Sequence, residues 1–307
     1  ERFAFLGFVT QETSILTHAK NVAGLEFKDP VAIAQELVPK LKQKVDHVIV
    51  VSHVGIQVDR KIAKSVKGID VIIGGHTQVP LWAPEFINGT FIVQDWEYGK
   101  TLGRLDMFYF DKELVAFEGG LLRYDPKIMA DKKMSQLVDK VSNKVDQVMN
   151  EVIAKTAVDL EGKRSIVRTQ ETNLGNLVAD ILLERAQKIK GHAADIMLTN
   201  SGGIRTRIAA GDISKKDLFN LMPFPNTLVI VEVSGKDLLA ALENGVSRIN
   251  DEEPAGRFPQ VAGMSFAFDK SKPASKRIVW AKVKGEPVRD QQIYKLATSD
   301  FLAGGGD

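Results

Sequence analysis

Two histidines stand at the ends of apolar runs: His53 closes "VIVVSH" and His76 follows "VIIGG". Both runs are short and rich in β-branched residues, the pattern of buried strands. "RKIAKSVKG" between them reads as a short helix ended by Gly68. A right-handed strand–helix–strand unit makes the two strands parallel and near neighbours. Both imidazoles then lie at one carboxyl edge, where open α/β sheets bind ligands. Neutral imidazole is the commonest metal ligand. Gln78 adds an amide oxygen that Mn²⁺, Mg²⁺ or Zn²⁺ tolerates. The competing reading is two unrelated polar residues that cap strand ends. Three neutral donors make a poor dication site, and a dinuclear hydrolytic centre needs a bridging Asp. Asp59 reads instead as a helix cap, and His18, His47 and His192 read as structural.

The elements that would position this edge alternate in type. Phe3–Val9 is a strand candidate, and "DPVAIAQELVPKLKQK" is a helix with Asp29 as N-cap and Pro30 at its first position. "FIVQDW" and "LGRLDMFYF" add strands, giving half of an α/β sheet domain. From 131 to 155, apolar residues from Met134 to Ile153 recur at spacings of three and four, which predicts one long amphipathic helix between two domains. Beyond it, helices are expected at "TNLGNLVADILLERAQ" (capped by Thr172 or Asn173), "SKKDLFNLMPF" (opened by Ser214) and "SGKDLLAALENGVSR". Strands are expected at "TLVIVEV", "AGMSFAFD", "RIVWAKV" and "YKLATSDF".

Composition narrows the class. With 41 basic and 39 acidic residues among 307, no bulk charge favours a nucleic acid polymer or a membrane surface. The absence of cysteine excludes disulfides, thiolate metal sites and cysteine nucleophiles. No apolar run has the roughly 18 residues of a membrane span. The chain opens on "ERFAFLGFVT" and stops at "SDFLAGGGD"; both ends read as cut, so a piece of a longer protein is expected.

"SHVG" followed by "GGHTQ" resembles the second half of a calcineurin-like metallophosphoesterase domain. "RTQETNLGNLVAD", "LTNSGGIR", "LMPFPNTL" and "DFLAGGGD" resemble a 5′-nucleotidase C-terminal domain. Together they are similar to bacterial periplasmic 5′-nucleotidases with UDP-sugar hydrolase activity. The resemblance implies an α/β protein: a partial metallophosphoesterase αββα sandwich over residues 1–125, a linker with a hinge helix over 126–156, and an α+β nucleotide-binding domain over 157–307. It implies two divalent ions (Zn, Mn, Co or Mg), with His53 and His76 on one and Gln78 on the other. The family's remaining ligands, in Asp-x-His, Gly-Asp and Gly-Asn-His-Glu motifs, are expected upstream of Glu1, together with the catalytic His and the bridging Asp.

Carried over residue by residue, Arg164, Arg168 and Arg205 meet the substrate phosphates, and Asn200 contacts the ligand. Arg205 has a planar fork suited to bidentate phosphate binding. Phe224 and Phe301 sandwich the base, Asn226 can bond a base edge, and Asp307 matches the acid on the ribose hydroxyls. The implied activity is hydrolysis of nucleoside 5′-monophosphates by the parent protein, extending to UDP-sugars or dinucleotides. The alternatives are a nucleotide-binding module without catalysis, a 2′,3′-cyclic phosphodiesterase and a thiosulfohydrolase. A periplasmic location follows from the resemblance alone.

Overall fold

The computed structural model describes residues 1–111, 113–189 and 193–307, with His192 outside them. It is a mixed α/β structure in two compact units, Glu1–Leu16 with Lys20–Ala130, and Thr17–Ala19 with Asp131–Asp307.

The first unit is built on a five-stranded sheet of order β1-β2-β3-β5-β4. In chain order its elements are β1 (Phe3–Val9), a single turn α1 (Thr13–Leu16), α2 (Pro30–Lys42), β2 (His47–His53), α3 (Ile56–Ser65), β3 (Val71–Gly74), β4 (Glu85–Ile87) and β5 (Thr90–Gln94). β1, β2, β3 and β5 run parallel, and β4 returns antiparallel at the edge. The expected adjacency of the two histidine-bearing strands is met, with Val51 opposite Ile73. α2 starts as its sequence dictates, the Asp29 carboxylate accepting from the Val31 N–H ahead of Pro30. Ala34, Val38, Ile62 and Ala63 of α2 and α3 pack on Val48, Val50, Ile72 and Ile92 of the sheet. The opposite face keeps apolar residues exposed, Phe5 at 67% and Val51 at 49%. β6 (Thr101–Phe110) and β7 (Glu113–Arg123) form a separate antiparallel pair.

The second unit opens with α4 (Lys132–Met149), capped by Asp131. This helix is shorter than the periodicity from 131 to 155 predicts. It ends at Asn150, and Val152–Thr156 is a strand, β8, paired antiparallel with β10 (Gly211–Ser214). The β-branched pair Val152-Ile153 fits a strand as well as a helix stripe, and a partner strand far along the chain decides the outcome. Between these lie α5 (Arg164–Val167), α6 (Asn173–Gln187) and β9 (Ile196–Asn200). Beyond β10 come α7 (Lys215–Leu221), β11 (Leu228–Ser234), α8 (Gly235–Val246), β12 (Pro259–Ala262), β13 (Met264–Phe268), β14 (Ile278–Val283), β15 (Glu286–Pro287), β16 (Ile293–Ser299) and α9 (Asp300–Ala303). The central sheet has the order β11-β16-β9-β12, and β13-β14-β15 form a second sheet. Ser214 and Asp217 make a reciprocal capping box on α7, and Thr172 caps α6.

Candidate functional site

The first cluster sits at the carboxyl end of β2 and β3. His53 and His76 face each other edge to face with ring centroids 5.2 Å apart. Gly75 makes this approach possible, since a Cβ there would stand 3.1 Å from His53 Nδ1. His76 and Gln78 both adopt left-handed backbone, at φ 73° and 59°, a conformation that costs non-glycine residues about 1–2 kcal/mol each. Burial pushes the His53 imidazole below its usual range, and the neighbouring His76 pushes it the same way. Both effects favour the neutral form, the one that ligates metals. Glu12 Oε2 lies 3.9 Å from His76 Nε2.

Two facing imidazoles fit a borderline divalent ion as part of its ligand set. Among the described residues, no group of three or more His, Cys, Asp or Glu is placed to hold an ion. The residues present thus fit a portion of a metal cage. Asp59 is not the cap that the sequence suggests. Gly55 occupies the N-cap position of α3, and Asp59 points inward, fully buried, accepting from Ser52 Oγ at 2.5 Å. An acid in the first turn has the signature of a cap, but here the turn rests on the sheet. His47 is structural, stacked on Phe3 and 3.1 Å from Asp70 Oδ1 through Nδ1.

The second cluster lies where β9, α5 and the chain end meet. Arg168, buried behind α5, donates to the Pro254 carbonyl. Its guanidinium is pushed down to about 10, first by burial and then by Arg164 and Arg205, while Asp307 and Glu253 act in the opposite sense. Arg164 and Arg205 thus both act on Arg168 as like charges. Arg164 Nε lies 3.8 Å from Glu253 Oε2. Asn200 is buried at the end of β9, and its Nδ2 donates to Asp307 Oδ2 across most of the domain's sequence. Asn244 donates to the Asp307 carbonyl and accepts from Arg257.

The Gly-rich turn after Asn200 permits a backbone contact that no side chain could enter. Gly202 N–H donates to Gly256 O at 2.6 Å, and a Cβ on Gly256 would stand 2.9 Å from Gly202 Cα. Gly256, Asn244 and Glu253 were not legible as site residues. "EEPAGRF" carries only a lone glycine and common charges.

A neighbouring open cleft is lined by Asn200, Phe224, Asn226, Met197, Thr199 and Thr298, among others. Phe224 is half exposed, and the Arg205 guanidinium lies 5.8 Å from its ring centroid. Phe301 opens α9 with its ring against Gly306, where a Cβ would stand 2.3 Å away. The cleft lining includes Phe224 and Asn226 but not Phe301, Asp307 or the arginines.

Relatives span the whole chain. It is 36% identical over 320 residues to a trifunctional nucleotide phosphoesterase protein of Bacillus subtilis, covering 100% of this chain and 22% of that protein. It is 29% identical to a 5′-nucleotidase of Vibrio vulnificus, covering 62% of it. The crystal structure of a 5′-nucleotidase precursor from Thermus thermophilus superposes with a TM-score of 0.89 at 35% identity, over 100% of this chain and 64% of that one. The chain thus spans less than two thirds of the length of these relatives. The model of the family described as "5′-nucleotidase, C-terminal domain" matches residues 152–307, just over half of the chain, and the chain belongs to that family.

Proposed function

We propose that the protein to which this chain belongs hydrolyses nucleoside 5′-monophosphates to nucleoside and phosphate, in the periplasm, with UDP-sugars or dinucleotides as further substrates. The observation that carries this reading is the arginine cluster. Arg168 is buried within electrostatic reach of Arg164, Arg205 and Asp307, and Asp307 accepts from Asn200. Such a cluster is relieved by an anion, and arginine forks suit phosphate oxygens. Phe224 and Phe301 supply ring faces for a base, and Asp307 an acceptor for ribose hydroxyls. Residues 1–125, 126–156 and 157–307 serve as catalytic half-domain, linker and substrate domain in this reading.

His53 and His76 would hold one divalent ion and Gln78 a second, the remaining ligands coming from residues outside 1–307. When bound, such ions supply Lewis acidity and activate water for in-line attack on phosphorus. The protein's own contribution is to disfavour charge on His53 by burial and to hold the phosphate in place. The partly exposed apolar face of the first sheet, with Phe5 and Val51 uncovered, supports a larger parent domain, because parallel sheets are ordinarily covered on both faces.

Phosphate release from AMP with Mn²⁺, lost on chelation, tests the reading directly. Binding of AMP and adenosine, measured by calorimetry, tests the substrate domain. Arg164→Ala should weaken AMP by about 10- to 100-fold and leave adenosine unchanged, since a charge-assisted hydrogen bond is worth about 1.5–3 kcal/mol. Equal weakening of both ligands would remove the phosphate role. Adenosine binding without phosphate release is the outcome expected of the second reading, a nucleotide-holding module. A substrate panel that includes 2′,3′-cyclic nucleotides and thiosulfonate esters separates the remaining relatives.

A further inference from the structure

Gln94 ends β5, beside Gly74 at the end of β3 in the parallel register. Only 1% of it is exposed. Its side-chain Nε2 donates to the Val79 carbonyl at 2.8 Å and to Thr77 Oγ1 at 3.2 Å. Only the NH₂ end of the amide can donate to a carbonyl, so Val79 fixes the amide orientation. The two acceptors flank Gln78, which the amide therefore straddles. The Gln94 main chain also holds this segment, its carbonyl accepting from the Leu81 N–H at 3.1 Å. Thr77 Oγ1 accepts a second bond, from the Ile56 N–H at the start of α3, and so ties the segment to the helix that follows His53.

Each of the two anchored residues follows one in left-handed backbone, Thr77 after His76 and Val79 after Gln78. Left-handed backbone is uncommon for residues other than glycine; at His76 the Thr77 N–H donates to the Gly75 carbonyl and closes a local turn, and fixed surroundings hold the segment in place. We propose that Gln94 is a positioning residue: its buried amide clamps Thr77 and Val79 and thereby sets the left-handed turn that aims His76 at His53 and orients Gln78. Its importance for activity rests on the reading of these residues as metal ligands; the clamp itself is a statement about backbone conformation.

The test uses the 307-residue chain with selectively labelled histidine and glutamine. Amide–α-proton couplings and intraresidue NOEs report φ at His76 and Gln78, and Zn²⁺ titration follows the His53 and His76 ring signals. Gln94→Glu keeps the shape but sets carboxylate oxygens against Val79 O. It should abolish the left-handed signature at both residues and weaken the ring response to Zn²⁺ at least tenfold. Thr77→Val, which leaves Gln94 in place, should lose part of the signature, and Thr77→Ser should retain it. The proposal is overturned if Gln94→Glu, with the second unit's spectrum unchanged, keeps both left-handed residues. If Gln94→Glu fails to fold, the Thr77 pair decides: equal signatures in Thr77→Val and Thr77→Ser overturn the clamp. Wild-type rings that ignore Zn²⁺ would sink the metal reading alone, and the couplings would still decide the clamp.

Discussion

At the scale of single residues, Asp59 shows how burial rewrites a side chain's chemistry. Its carboxyl is pushed up to about 6 by loss of solvent, against which the Ser52 hydrogen bond pulls only partly. Below the ordinary value of 3.8 the group is protonated both folded and unfolded, and its share of stability is fully present. Between that value and about 6 the unfolded chain releases the proton while the folded chain keeps it. Stability should therefore fall as pH rises through this window, by about 1.4 kcal/mol per unit, and level off above it. Asn in this position keeps an acceptor for Ser52 and has no charge to bury. Asp59→Asn should thus flatten the profile between pH 4 and 6 and exceed the wild type at pH 7.5 by about 1–3 kcal/mol. Urea unfolding across pH 4–8 measures both; a wild type no more stable at pH 4.5 than the variant's profile predicts would count against it.

At the scale of elements, helix starts carry the site. Thr172 is buried, and its Oγ1 accepts from the Gly175 N–H at 2.9 Å, fixing where α6 begins. One turn in, Gly175 leaves room for Gln260, whose Oε1 would stand 2.1 Å from a Cβ there. Gln260 in turn donates to the Val167 and Gln170 carbonyls, which bracket Arg168. The cap of α6 thus bears on the placement of the buried arginine through two side chains. Thr172→Ala should cost about 1 kcal/mol, while Thr172→Ser should cost much less. Thermal unfolding of the two variants checks this, and equal losses would mean that the methyl group and not the cap is what matters. The shortened α4 belongs at this scale too, since pairing of β8 with β10 competes with continued helix.

At the scale of the whole molecule, each of the two units has a core of its own. One lies between α2, α3 and the five-stranded sheet, and others surround α6 and α8. Candidate metal residues fall in the first unit and candidate nucleotide residues in the second. A ligand that binds only the folded state stabilises it by about 2.7 kcal/mol at a hundredfold excess over its Kd. AMP should therefore slow hydrogen exchange chiefly within residues 131–307, around β9, α5 and α9, and Zn²⁺ chiefly around residues 52–79. Mass-spectrometric exchange with each ligand separately makes the comparison. AMP protection confined to the first unit would overturn the assignment of the second as the nucleotide holder.

Local features follow from the order of amino acids alone. Asp29-Pro30, Thr172 and Ser214 carry their helix starts in the capping atom, and the parallel pairing of β2 with β3 follows from the handedness of one crossover. The candidate residues were named because short contiguous motifs, "GGHTQ", "NSGGIR" and "MPFPN" among them, resemble those of the family. Other features arise only once the chain is folded. The meeting of Asn200 with Asp307, the burial of Arg168 among like charges and the Gly202–Gly256 contact join residues far apart in the chain. Asp59 reads as a cap and Gln94 carries no signal for the same reason: an acid in a first helical turn and a glutamine at a strand end acquire their roles only from what packs over them. Periodicity reports which side of an element is apolar, not what closes over it, and that closure removes water and fixes both protonation and aim.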